Sequence, residues 1–423
     1  MSSDAEPEEA AASDGPRLGL FEAYGVEIEA MLVDAATLSV RPECDRLMAA
    51  VGGAEGDVEM GDIAWCNELT LHVLELKTNG PAPSLAGLVG KFHESFLRAN
   101  RELEATGAVL MPGAVHPWMD PHTETVLWPH EYTEVYHAFD RIFGCSGHGW
   151  ANLQSTHLNL PFRDDEEFGR LHAAIRLVLP LIPAISAASP YLEGSRAGAL
   201  DARLVAYRGN ARRVPSVTGQ VVPEPAFTRE QYEREILGRI YADMAELDPE
   251  GILRHEWANA RGAIARFDRS TVEVRVIDAQ ECPSADLAVV AAVTEVVRAL
   301  AVGPLAGRDA RLDPSTDELA ALLGATTVEA ERAQVGVRGL LGVLGVGTAA
   351  RTAGQVWSAL MDRFPPPDPD AEWTRALEGI LRHGPLARRL VAAAGEAPTR
   401  ACLAEVFRDL CRCLERNEAF EPR

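Results

Sequence analysis

The chain has 423 residues, 47% hydrophobic and 24% charged, the balance of a soluble globular protein with room for one large or two medium domains. Its 63 acidic residues against 40 basic ones leave a net charge of -23, which argues against nucleic acid as the main partner. No apolar run reaches the roughly 18 residues of a membrane span, no basic-then-apolar leader opens the chain, and seven scattered cysteines fit reduced thiols in a cytoplasm.

Residues 1–17 hold five acidic side chains and no aromatic, and read as a disordered acidic tail. Ordered structure is expected from Leu18. "YGVEIEAMLVD" (24–34) alternates Val26 and Ile28 with Glu27 and Glu29, the period of a strand. "LTLHVLELKT" (69–78) is a second strand. "SLAGLVGKFHESFLRANRELEATG" (84–107) is a helix with Ser84 as N-cap and Gly107 closing it. A third strand runs through 108–118, a helix through 131–144 and a strand through 151–162. A long apolar helix over 166–189 breaks at Pro180 and Pro183. After a loop-rich stretch come a helix at 228–247, the alternating strand "STVEVRVID" (270–278) and a helix from about Ala285 to Val302. Beyond residue 304 the amphipathic stretches read as a helical C-terminal region, with "RFPPPDPDAE" as a rigid linker.

Four of these strands repeat one pattern. Glu27 and Glu29 share a face, as do Glu75 and Lys77, then Ser155, His157 and Asn159, then Glu273 and Arg275. Each face read alone is an ordinary solvated one. Together they gather four Glu, one His, one Asn and one Arg, with a single Lys. Carboxylate oxygens suit Mg²⁺ and substrate phosphates, a neutral His completes such a set as it does for Mn²⁺, and an Arg beside them suits a transferring phosphoryl group. Glu68 has the opposite parity to Glu75 and is left outside the ligand set. No GxxxxGK[ST] loop and no GxGxxG after a strand is present, so any ATP is held by a different fold. His116 in "VHPW" reads as a satisfied turn histidine, and Trp118, Trp128 and Trp150 read as packing.

The motifs "GVEIEAMLVD", "LELKTNGPAPSL", "GAVHPW", "STHLNLPF", "SAASPYLEGSRAGALDARLVAYR" and "VEVRVIDAQECPS" occur in an order that resembles the glutamate–cysteine ligase family, in its bacterial carboxylate–amine ligase branch. The resemblance covers roughly residues 20–300. It implies an α+β, glutamine synthetase-like fold, an antiparallel sheet curved into a funnel and covered by helices, with a C-terminal helical appendage. The expected division is a tail at 1–17, a catalytic domain at 18–303 and a helical region at 304–423. The resemblance also implies ATP and Mg²⁺, with Mn²⁺ as a substitute. Metal ligands are expected at Glu27, Glu29, Glu75, His157 and Glu273, and Arg275 on the phosphoryl group. Asn159, Arg141 and Arg203 are expected to contact substrate or nucleotide. The implied reaction is activation of an amino acid carboxylate to an acyl phosphate and attack by an amine, most simply glutamate and cysteine, as in glutathione biosynthesis. The alternatives are a ligase for a specialised metabolite and an inactive nucleotide-binding relative. Lys77 and Asn79 depart from the family pattern, which has small or apolar residues there. The expected partners are small molecules, with neither nucleic acid nor a membrane.

Overall fold

The computed structural model describes residues 17–53, 56–307, 314–347, 349–367 and 372–422. The acidic tail, save Arg17, lies outside the described residues, as does part of the Pro-rich stretch before residue 372.

Among the described residues ten strands form in chain order: β1 (Gly25–Asp34), β2 (Val58–Met60), β3 (Ile63–Asn67), β4 (Val73–Thr78), β5 (Ala108–Met111), β6 (Ser155–Pro161), β7 (Tyr191–Leu192), β8 (Ser195–Arg196), β9 (Ala263–Arg266) and β10 (Thr271–Asp278). Eight of them make one antiparallel sheet in the order β2-β3-β4-β1-β6-β10-β9. β5 lies beside the second half of β1, continuing along the edge where β6 stops. β7 and β8 form a separate hairpin turned by Glu193 and Gly194, both at positive φ. This is the expected α+β class with a sheet of antiparallel strands.

The alternation of the sequence divides the sheet as expected. Val26, Ile28, Leu74, Leu76, Leu158, Leu160, Val272 and Val274 are buried in the main core. Helices Leu88–Leu103, Asp165–Val178 and Pro283–Ala301 belong to that core, and Trp65 of β3 donates its indole N–H to Ser95 at 2.6 Å. Burial of each such aliphatic side chain contributes about 1.5–3 kcal/mol. The helix Pro283–Ala301 is buried almost all round because a second helix, Glu372–His383, packs on it too.

Helix ends differ from the sequence reading in instructive ways. Ser84 bonds the amide of Ala86, and Gly87 at φ 80° then turns the chain, so the helix starts at Leu88. Pro180 and Pro183 do interrupt the long apolar helix, which becomes a short 3₁₀ turn and a second short helix. The segment before β4 is no strand: Leu71 and Trp128 exchange bonds with Val126 and Leu69 instead.

The helices beyond residue 304 pack into the same core as the sheet. Thr326 bonds the carbonyl of Pro180, and Trp357 that of Leu181. Helix Arg400–Arg416 brings Leu403, Phe407 and Leu410 against Met31 and Val33, on the same side of β1 as Glu27 and Glu29. Among the described residues no helix is long and apolar enough to cross a membrane.

His172 sits in this core between Phe168 and Tyr232, with ring centroids 5.4 and 5.7 Å away. Neither ring nitrogen has a hydrogen-bond partner among the described residues. Burial, then the charges of Arg176 and Arg261, hold its pKa down at about 3. Below its ordinary value of 6.5 the unfolded chain takes up a proton that the folded chain refuses. Stability is therefore lost as pH falls from 6.5 towards 3, by up to about 1.4 kcal/mol per pH unit for this group. His172→Leu is expected to narrow the gap between urea midpoints at pH 7 and pH 5. An unchanged gap would show that His172 does not carry this acid sensitivity.

Candidate active site

Register brings the polar groups together. On β1, Glu29 faces Glu75 of β4, and Glu27 lies between Lys77 of β4 and His157 of β6. Asn159 pairs with Gly25 on one side and with Glu273 of β10 on the other. A Cβ at position 25 would lie 2.9 Å from that of Asn159, so glycine is required for the approach. Between Val274 and Ile277 the register slips by a bulge, which sets Arg275 and Val276 together across from His157. Bulges of this kind re-aim a side chain beside a site.

The contacts are tight. His157 Nδ1 lies 2.8 Å from Glu27 Oε2, and Asn159 donates to Glu27 Oε1 at 3.0 Å. Ser155 joins two strands: its amide donates to Glu29 at 2.8 Å and its hydroxyl lies 2.8 Å from His157 Nε2. Arg275 Nε is 2.7 Å from Glu273 Oε1, while Arg266 of β9 approaches the other oxygen at 3.6 Å. His157 and Glu273 are buried, so each pairing is shielded from water.

The carboxylates titrate apart. Burial pushes Glu27 up, but the hydrogen bond and charge of His157, with Arg275 and Lys77, outweigh it and hold its pKa at about 2. Burial raises Glu29, with His157 opposing. Burial and the charges of Glu27 and Glu68 push Glu75 well up, and burial with the charge of Glu29 lifts Glu68 to about 7. Burial disfavours the imidazolium of His157, yet the carboxylates of Glu27 and Glu29 raise its pKa overall.

Two triples of donors result, Glu27–Glu75–His157 and Glu29–Glu68–Glu75, each with ligand atoms within 4.8 Å of one another and with Glu75 common to both. Carboxylate oxygens with one imidazole are a donor set for hard divalent cations such as Mg²⁺ or Mn²⁺, and the crowding of like charges is what such a cation relieves. The residues therefore fit the metal that the resemblance implies. Glu273 stands outside both triples, between two guanidinium groups.

Several placements differ from the sequence reading, Glu273 outside the triples among them. Glu68 belongs with the carboxylates. Its parity relative to Glu75 is irrelevant because β4 begins only at Val73, and Glu68 sits in the connection after β3. Arg266 was hidden in a four-residue strand within a loop-rich stretch, and only the structure puts it beside Glu273. Arg141 is not brought to the carboxylates: it is exposed on helix Thr133–Phe143 and donates to the carbonyl of Leu247 at 2.6 Å. Arg203 lies beside the site, bonded to Asp278 on the face that Ser155 shares. Its Nε reaches Asp278 Oδ1 at 2.5 Å and its Nη2 the carbonyl of Arg275 at 3.3 Å, both side chains being buried. His116 is a satisfied turn histidine, 2.7 Å from the carbonyl of Leu38.

Glu68 is an acid whose folded pKa is raised, so its charge costs stability above about pH 7 and nothing below 4.5. In chelator-treated protein, Glu68→Gln is expected to raise the Tm by a few degrees at pH 8 and to leave it unchanged near pH 4.5. A melting series over pH checks this, and equal shifts at both ends would remove the charge-crowding account.

A family model described as glutamate-cysteine ligase family 2 matches residues 23–404. An uncharacterized protein of Archaeoglobus fulgidus is 35% identical over 261 residues, 61% of this chain and 69% of its own length. A putative glutamate–cysteine ligase 2-3 of Rubrobacter xylanophilus is 29% identical over 194 residues, 45% of this chain and 49% of that protein. A putative glutamate–cysteine ligase 2 of Bradyrhizobium is 28% identical over 301 residues, 66% of this chain and 61% of that one. Among solved structures, a glutamate–cysteine ligase of Francisella tularensis in complex with AMP superposes with a TM-score of 0.54 at 12% identity, covering 95% of this chain and 89% of that one. That likeness speaks for the fold alone. The model match, which takes in all four polar strands and most of the C-terminal helices, settles the family: the chain belongs to glutamate–cysteine ligase family 2, the ATP-dependent carboxylate–amine ligases.

Proposed function

We propose that this protein joins the γ-carboxylate of glutamate to the amine of cysteine, using ATP and Mg²⁺ and passing through an acyl phosphate. The observation that carries the reading is the pair of donor triples sharing Glu75, with Arg275 on the same face of the sheet. The names of the Rubrobacter and Bradyrhizobium relatives supply the acid and the amine.

A carboxylate is a poor electrophile. Transfer of the γ-phosphoryl group of ATP to a carboxylate oxygen releases ADP and gives the acid a good leaving group. The amine then attacks the acyl carbon, inorganic phosphate departs and the amine loses a proton. Divalent metal ions, when bound, supply positive charge to the triphosphate. Glu27, Glu29, Glu68, Glu75 and His157 would hold them. Ser155 and Asn159 fix the orientation of those ligands through the bonds described above. Arg275, anchored by Glu273, is placed to stabilise charge on the phosphoryl group in flight. No protein nucleophile is needed. Cys44, Cys66, Cys145 and Cys282 are buried, and burial pushes their thiols up into an unreactive range.

Purified protein is expected to release ADP only when ATP, Mg²⁺, glutamate and cysteine are all present. Glu75→Gln and His157→Ala are expected to abolish turnover without unfolding the chain. Arg275→Met is expected to lower kcat by about 10²–10³-fold. ADP release that ignores every acid and amine supplied would sink the proposal. Release with a different acid–amine pair would keep the reaction and replace its substrates, the alternative of a ligase for a specialised metabolite.

A further inference from the structure

Only two of the 40 basic residues of this chain are lysines, Lys77 and Lys91. Lys77 occupies the site face of β4, across from Glu27 and one rung from Glu75. It is the cation on one flank of the carboxylates, whereas Arg275 and Arg266 stand on β10 and β9 at the other flank. The two arginines are both engaged with Glu273. Among the described residues the ammonium of Lys77 has one ion pair, at 2.7 Å to Asp57, whose side chain is 51% exposed. An exposed pair of this kind holds weakly and exchanges readily.

A fixed ammonium beside a cation-binding cluster calls for an explanation, since it repels the very ions that the carboxylates collect. Once cations occupy the two triples, Glu27 and Glu75 no longer offset the charge of Lys77. An anion arriving with those cations does. Strands β4 and β10 are three strand spacings apart, about 14 Å, so charges on either side of the cluster suit a substrate assembly with anionic groups at both ends. A lysine brings a compact point charge with three donors, and Asp57 takes one of them.

We propose that Lys77 is a substrate-binding residue that recognises an anionic oxygen group, a carboxylate or a phosphate, on the β4 side of the site, with Asp57 as the counter-ion it gives up. This rests on the ligase reading above. The two sources of the anion are the nucleotide and the second carboxylate of the acid substrate.

Two measurements separate them. Calorimetry with Mg·ADP gives the Kd of the nucleotide. ADP release at saturating ATP gives the KM of L-glutamate, or of whichever acid drives turnover in the wild type. Lys77→Met is expected to raise one of these constants by about 10-fold or more, the range of a charge-assisted hydrogen bond, and to leave the other within about 2-fold. A raised Kd identifies the nucleotide phosphate, and a raised KM the carboxylate of the acid. Asp57→Asn removes the same surface ion pair but spares the lysine, so it is expected to bind as tightly as the wild type or more so. Equal losses in the two variants would mean that the pair is merely a structural tie, and would overturn the proposal. So would a folded Lys77→Met protein with both constants unchanged, provided that Glu75→Gln still abolishes turnover. Wild-type protein that neither binds Mg·ADP nor turns over with any acid overturns the ligase reading, and this inference with it.

Discussion

The bond between His157 and Glu27, 2.8 Å long and almost dry, is the contact on which the site depends. It ties the central strand β1 to β6 at the level where the carboxylates crowd most. Five glutamates would not stay together on one face by themselves. His157, whose imidazolium Glu27 and Glu29 favour, lies against Glu27 and faces Glu29 and Glu273 at 3.8 and 3.7 Å. Loss of one partner from a buried pair of this sort costs about 3–5 kcal/mol, and Glu27 would keep only the weaker support of Arg275, Lys77 and Asn159. The histidine thus keeps the glutamates in place. Were a divalent cation held here, the same imidazole in its neutral form would offer it a lone pair.

The surrounding fold exists to hold that face still. Aliphatic residues of odd and even strands alike anchor the underside on three helices, so the polar side cannot rotate without opening the core. Asp278, at the end of β10, accepts from Ala188, Ser189 and Arg203. Arg203 then reaches the carbonyl of Arg275. A chain of buried bonds therefore runs from the loop after the Pro180–Pro183 break to the bulge that aims Arg275. Arg203 supports the backbone at that bulge, and its proximity to Glu29 adds a positive field beside that carboxylate.

Much of this was legible in the sequence because a strand has period two. Glu27, Glu29, Glu75, His157, Asn159, Glu273 and Arg275 could be assigned to a common face from spacing alone, and the register confirms that neighbours in the sheet are neighbours in the site. What was not legible lacked that period. Glu68 lies in a connection, where spacing carries no information about direction. β9 is four residues long and ends in Arg266, so its sequence resembles a loop. The bulge in β10 leaves the alternation of its letters intact while changing what Arg275 faces. The helices after residue 304 show their apolar stripes plainly, but a stripe does not say which surface covers it.

That last point changes how the C-terminal region should be understood. Glu281 lies three residues beyond β10, fully buried, 2.5 Å from Arg389. The same carboxylate accepts from the amide of Phe420, and Arg389 donates to the Phe420 carbonyl. Asn417 receives the amide of Ser284 at the start of the central helix. Charged groups buried this completely are tolerated where they are paired with one another, so residues 417–420, the helix Leu386–Ala394 and the end of β10 order one another. Helix Arg400–Arg416 meanwhile covers Met31 and Val33, the apolar continuation of the row that begins with Glu27 and Glu29. The row on β1 thus passes from carboxylates to an apolar half that this helix covers. The element that sets this boundary comes from the far end of the chain.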